Sequence, residues 1–282
     1  MAQNSLNVFT DLAQETKDQL AQVLAGVIEN IQVTAVSEKI KNKQGSGDPE
    51  GGTIQYKRFA NATLQAKGTA RGLGKGNPLE DENILINLSD DKEIVEELQK
   101  KDVKLLGIPA LAEKRKANFA KRVSAYLDTK FFATCVSAGT AYAGEQTDVD
   151  KIIDEMIVTA KTVSSDYIDG IDAEDLVIVL DAEWRKEMKN KLDALPNGTR
   201  PQNGLIGMYD SIDVHESNRL GSGVHCVLML KGAVAEPWYV SDYNAEKIPL
   251  DDAIALENFL YCGAGALNPE AIFYCAEATT TA

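Results

Sequence analysis

The sequence is poor in the residues from which most metal and catalytic centres are built. Only two histidines, His215 and His225, occur in 282 residues. They stand in neither HxxxH nor HExxH spacing, so a histidine-based zinc site is not expected. Cysteine is scarce too: Cys135, Cys226, Cys262 and Cys275 lie far apart with no CxxC pair. Each has apolar neighbours, where a free thiol behaves as a small hydrophobe, and the four are expected to be reduced core residues. Long apolar runs are absent. The longest uncharged stretch, Phe131 to Gly144, has 14 residues padded with Gly, Ser and Thr, short of the ~20 that a membrane helix needs. Met1-Ala2-Gln3-Asn4-Ser5 carries neither a basic nor an apolar signal region, so cytoplasmic synthesis is expected. No proline stands between Pro109 and Pro196, which leaves long helices possible there.

What is present describes an ordinary globular chain, 44% hydrophobic and 26% charged. Its length is enough to bury roughly three quarters of the unfolded surface, which excludes disorder as the whole answer. The net charge of −14 is unevenly spread: residues 1–50 carry 4 basic and 7 acidic groups, residues 51–130 carry 15 and 11, and residues 131–282 carry 10 and 25. Between Gly51 and Gly76 stand Lys57, Arg58, Lys67, Arg71 and Lys75 with no acid at all. The acidic remainder would repel phosphate, so direct nucleic-acid binding by the body is not expected. A basic segment and an acidic body instead suit contact between one copy and the next.

Catalytic signatures fail on spacing. Gly72-Leu73-Gly74-Lys75-Gly76 lacks the interval and the hydroxyl of a phosphate-binding loop. Asp166, Asp169, Asp172, Glu174 and Asp175 invite a calcium reading, but taking Gly170 as the loop glycine puts Ser165 and Leu176 at ligand positions; they read as a solvated acidic turn. Gly221-Ser222-Gly223 is not a nucleophile elbow. No carboxylate pair stands out among 43 acids. No catalytic, cofactor-binding or metal residue is therefore predicted.

Along the chain, Leu20, Val23, Leu24, Val27 and Ile31 recur at helical spacing and predict an amphipathic helix over 11–30 with Thr10 as cap. Eight of the 21 glycines fall between Lys41 and Leu79. Inside that segment Thr53–Phe59 and Thr63–Thr69 predict a hairpin turning at Ala60-Asn61-Ala62. Ordering some thirty such residues costs tens of kcal/mol, at about 1–2 per residue, and few apolar side chains there could offset it within one molecule. A short helix is predicted over Asp91–Lys101. A long one follows from Pro109 to the stop at Gly139, with Phe119, Val123, Leu127, Phe131 and Cys135 every four residues; thirty helical residues reach about 45 Å. Thr147 with Asp150 predicts a capping box. Leu176–Leu180 predicts a buried strand, and Asp181 with Glu183 opens a helix through Leu192. Short strands are expected over Leu205–Met208, Ile212–Val214, Val224–Leu230, Ala233–Val240 and Ala271–Ala276, while Asp251–Tyr261 fits helix or strand.

This order of parts resembles the major capsid protein of tailed bacteriophages, whose fold is shared with the herpesvirus capsid floor and with encapsulins. Phe119-Ala120-Lys121-Arg122 through Leu127-Asp128-Thr129-Lys130-Phe131-Phe132 resembles the end of that family's spine helix, followed by the small residues Ala138-Gly139. Asp175 to Asp181, with Trp184 and Leu192, is similar to a strand and helix of its peripheral domain. Asn203 to Ser211, Val224 to Val234, Leu260 to Ala264 and Asn268-Pro269-Glu270-Ala271-Ile272 resemble its later strands. The likeness spans residues 40–276.

The resemblance implies an α+β capsid fold with five parts: an N-terminal arm (1–44), an extended basic hairpin loop (45–80), a spine helix with a peripheral domain (81–195), a strand-rich axial domain (196–255), and the closing strand of the peripheral domain with a tail (256–282). It implies a non-enzymatic shell protein without cofactors. Copies would assemble through pentamers and hexamers into an icosahedral phage head in the bacterial host cytoplasm, with the double-stranded DNA enclosed but not specifically bound and no membrane involved. Separate scaffolding, portal and decoration proteins are its expected partners. Lys57, Arg58, Lys67, Arg71 and Lys75 would meet acids on a neighbouring subunit. An encapsulin shell, or a cytoplasmic α/β enzyme with a site of unmotifed acids, are the alternatives.

Overall fold

The computed structural model describes residues 14–69, 79–194, 205–248 and 253–276. Its centre is strand β5 (Leu176–Leu180), five consecutive apolar residues buried on both faces. Successive side chains on a strand point to opposite sides, and here each side meets its own helical layer. Leu176, Ile178 and Leu180 join one core with Ile152, Ile153, Met156 and Ile157 of α5 (Val149–Thr162) and Met188 of α6 (Ala182–Ala194). Val177 and Val179 join the other, with Phe131, Phe132 and Cys135 of α4 (Ile108–Ala138). Fully burying each such side chain stabilises by about 1.5–3 kcal/mol.

The sheet around β5 has six strands, in the order β4 (Thr140–Ala141), β14 (Ile272–Ala276), β8 (Val224–Leu230), β5, β7 (Ile212–Glu216), β6 (Leu205–Tyr209). β5 runs parallel to β7 and antiparallel to β8. One sheet thus takes strands from residues 81–195, 196–255 and 256–282.

Helix α4 follows the predicted bounds and holds 31 residues. Its C-terminal half lies on the six-stranded sheet. Its middle, through Phe119, Val123 and Leu127, packs against Leu24, Val27 and Ile31 of α1 (Gln14–Thr34) and against Val240 and Leu260. The predicted cap of α1, Thr10, lies outside the described residues. Val240 and Leu260 belong to a second sheet, in which β12 (Ala253–Cys262) pairs with β10 (Trp238–Val240), β11 (Asn244–Lys247) and β3 (Asp90–Gln99). The ambiguous segment near 251–261 is therefore a strand.

Three local expectations are corrected. Asp91–Lys101 is not a helix: β3 occupies most of it, paired residue for residue with β12 from Asp90↔Cys262 to Gln99↔Ala253. Ile94, Glu96 and Leu98 are half-buried between exposed neighbours, a period of two that decides for strand over acidic helix propensity. Helix begins only at α3 (Lys100–Leu106). Strand β1 (Thr53–Phe59) does not turn back on Thr63–Thr69; its partner is β2 (Asp81–Asn87), in register from Thr53↔Asn87 to Phe59↔Asp81. Ile54, Tyr56 and Ile86 reach a shared core with Ala235 and Leu267, which residues 63–69 have no apolar set to match. Thr147 does not cap α5: Asp148 holds the N-cap position, without a side-chain cap bond. The four cysteines are buried and free.

Candidate assembly surface

At the inner end of the basic segment, two of its cations find acids on their own chain. At the root, Lys57 lies 3.2 Å from Asp81 across the β1–β2 ladder. Arg58 pairs with Glu270 and, at 3.9 Å, with Glu82, while its guanidinium sits 3.8 Å from the centre of the Tyr167 ring. The Asn61 backbone N–H donates to the Asp166 carbonyl at 2.9 Å, and Ser165 Oγ donates to Glu270 at 3.2 Å. Where the ladder meets the 165–168 turn and Glu270, the loop is thus anchored on its own chain, and two of the five basic residues find acids there.

Beyond the root, the chain supplies little. Residues 60–66 adopt no strand, and a concavity of about 490 Å³ opens between residues 60–65 and Leu79-Glu80. Lys67 is exposed, and Arg71, Lys75 and the glycine run Gly72 to Gly76 lie outside the described residues. Apolar side chains stand in water: Leu64 is 97% exposed, Leu79 74%, Leu85 63% and Phe59 52%. Leu64 and Leu79 beyond the ladder, with Phe59 and Leu85 on it, gather exposed large apolar groups on one segment, the mark of an interaction surface.

A second arrangement joins α2 (Ser37–Ile40), α4 and the turn between β9 (Val234–Ala235) and β10. Three acids are buried here: Glu38, Asp128 and Glu236. The Ser37 N–H donates to Asp128 Oδ1 at 2.8 Å. Glu38 accepts from Lys41 and, at 2.5 Å, from Trp238 Nε1, while Lys41 Nζ donates to the Glu236 carbonyl at 2.9 Å. Both carboxylate oxygens of Glu236 lack a hydrogen-bond partner. Burial pushes its pKa up against the pull of Lys41, which favours the neutral form and spares the junction an uncompensated charge. A third node ties β3 to α4: burial alone would raise the pKa of Asp90, but Lys130, Tyr126 and Lys92 bring it down to about 2.

Of the residues rejected as catalytic, the acidic turn Asp166, Asp169, Asp172, Glu174 and Asp175 is exposed, and its Glu174 carbonyl accepts from Lys231. His215 is buried, and burial holds its pKa down. His225 stands beside Asp181 and Glu183, a grouping that histidine spacing alone could not reveal. The buried acids were also missed, though a signal existed: Ser124 and Asp128 follow the helical period of the core positions of α4, and Glu236 interrupts an otherwise apolar stretch from Ala233 to Val240.

No protein-family model matches the sequence, and no curated protein matches it either. Solved structures do. The head of Helicobacter pylori bacteriophage KHP40 is similar at a TM-score of 0.63 and 12% identity, covering 86% of this chain and 90% of that one. The capsid of cyanophage P-SCSP1u is similar at 0.58 and 11%, covering 99% and 93%. A virus-like particle from Pyrococcus furiosus is similar at 0.56 and 9%, covering 93% and 100%. The chain has the α+β fold of the bacteriophage major capsid proteins.

Proposed function

We propose that this chain is the major shell protein of a phage head, built from many copies in pentamers and hexamers and enclosing double-stranded DNA without gripping it. The observation that carries the reading is the capsid fold over nearly the whole chain. The loop whose Leu64, Leu79 and Lys67 find no place on their own subunit supports it. A weak contact repeated around a closed shell gives a durable container, so the work of the protein is geometric and no catalytic step is assigned.

In this reading the arm (1–44) and the extended loop (45–80) reach neighbours, and the spine helix with its two sheets forms the wall. Lys57 and Arg58 fix the root of the loop, while Lys67, Arg71 and Lys75 meet the acidic body of the next copy. Scaffolding, portal and decoration functions belong to separate proteins, and assembly takes place in the host cytoplasm.

Expressing the chain with and without a candidate scaffold, then measuring mass by light scattering and imaging by negative stain, tests the proposal. Closed shells or rings are expected; a monomer or compact dimer under both conditions contradicts it. The likeness to the Pyrococcus furiosus particle favours an encapsulin-type compartment as second reading. Particles free of DNA but carrying one fixed enzyme would decide for that alternative.

A further inference from the structure

Among the described residues, Asp181, Glu183 and His225 each offer a metal-ligand atom, and these atoms lie within 4.8 Å of one another. Two different elements bring them together: Asp181 and Glu183 stand at the start of α6, and His225 is on β8. The Asp181 N–H donates to the His225 carbonyl at 2.9 Å, which fixes the crossing of helix and strand. The Asp181 carboxylate divides its work. Oδ1 accepts the Trp184 N–H at 2.8 Å and caps the helix, and Oδ2 lies 2.5 Å from His225 Nδ1. The indole of Trp184 stacks on the imidazole, centroids 5.3 Å apart and planes within 5°, so the ring cannot swing away. Glu183 is exposed, with open access from solvent.

We propose that Asp181, Glu183 and His225 form a three-ligand site for a divalent transition-metal ion of the zinc class. One imidazole nitrogen and two carboxylate oxygens suit a borderline ion over magnesium and leave a fourth position for water. Two full negative charges outweigh the roughly half positive charge at the start of α6. With an ion on Nδ1, the His225 ring carries its N–H on Nε2. The ion then takes the place of the proton between Oδ2 and Nδ1. These two atoms need separate by less than ~1 Å to become the edge of a tetrahedron with ~2 Å bonds. A bound ion would clamp α6 to β8 inside the six-stranded unit. Acids spaced along a helix start and a lone histidine more than forty residues later give no recognisable motif in sequence.

Zinc titration of the purified full-length chain by calorimetry, with cobalt(II) absorption as a spectroscopic probe, tests the site. One equivalent is expected to bind saturably, and magnesium is expected not to compete. Glu183→Gln alters only an exposed ligand, and Asp181→Asn keeps a capping side chain; each should weaken zinc binding by at least ~10-fold, with circular dichroism confirming that the variant is folded. Absence of saturable binding, unchanged affinity in folded Glu183→Gln protein, or a thiolate-to-cobalt band showing that cysteine holds the metal would each overturn the proposal.

Discussion

The six-stranded unit around β5 and the segment from β1 to β2 treat apolar side chains in opposite ways. In the first, one strand hides every side chain, three toward α5 and α6 and two toward α4. In the second, only the inward row of the ladder is covered, and Leu64 and Leu79 stand in water. The first region completes its core within one chain; the second leaves large apolar side chains exposed among the described residues. The proposed shell role uses both, a packed wall and a loop left exposed for a neighbour.

The largest way to break the comparison is a charge in the wall. Val179→Asp places an unpaired carboxylate at a position with no exposure, at a cost of about 4 kcal/mol or more, and the chain should be lost from the soluble fraction. Ile178→Val should cost only about 0.5–1.5 kcal/mol, read from denaturant midpoints.

Glu236 sharpens the comparison through pH. Its pKa is raised to about 8 in the folded chain from 4.5, so the contribution of its protonated form is present below the unfolded value and is lost as pH rises toward the folded one. Thermal stability should fall between about pH 4.5 and pH 8, and Glu236→Gln should flatten that fall. An unchanged slope in the variant would remove Glu236 from the account.

Smaller still is the effect at the root of the loop. Arg58→Ala removes the pairs with Glu82 and Glu270 and the stack on Tyr167. Limited proteolysis should then cut between residues 60 and 69 faster, while the melting temperature of the wall hardly moves. Leu64→Ser should change subunit stability least, within about 0.5 kcal/mol, yet lower the yield of assembled particles.

The parts legible in sequence were those whose pattern is local. Helix α4 announced itself by Pro109, Gly139 and a four-residue apolar period, and β5 by five apolar residues in a row. What was hidden depends on partners distant in the chain. Asp90–Gln99 has the acidic composition of a helix, and only β12, more than 150 residues later, makes it a strand. β1 found its partner at 81–87 because Ile86 continues its core and residues 63–69 do not. The basic segment was visible as composition, but not the anchoring of Arg58: of the two acids that engage it, Glu82 sits on the strand paired with its own and Glu270 arrives from the far end of the sequence. Asp181, Glu183 and His225 were hidden for the same reason.

If another copy completes the loop, hydrogen exchange on assembled against unassembled protein will show it. Amides of residues 60–69 should gain protection on assembly, while those of β5 and β8 stay protected in both states. Equal, rapid exchange of residues 60–69 in both states would contradict the account, because the exposed loop would then have no partner even in the finished shell.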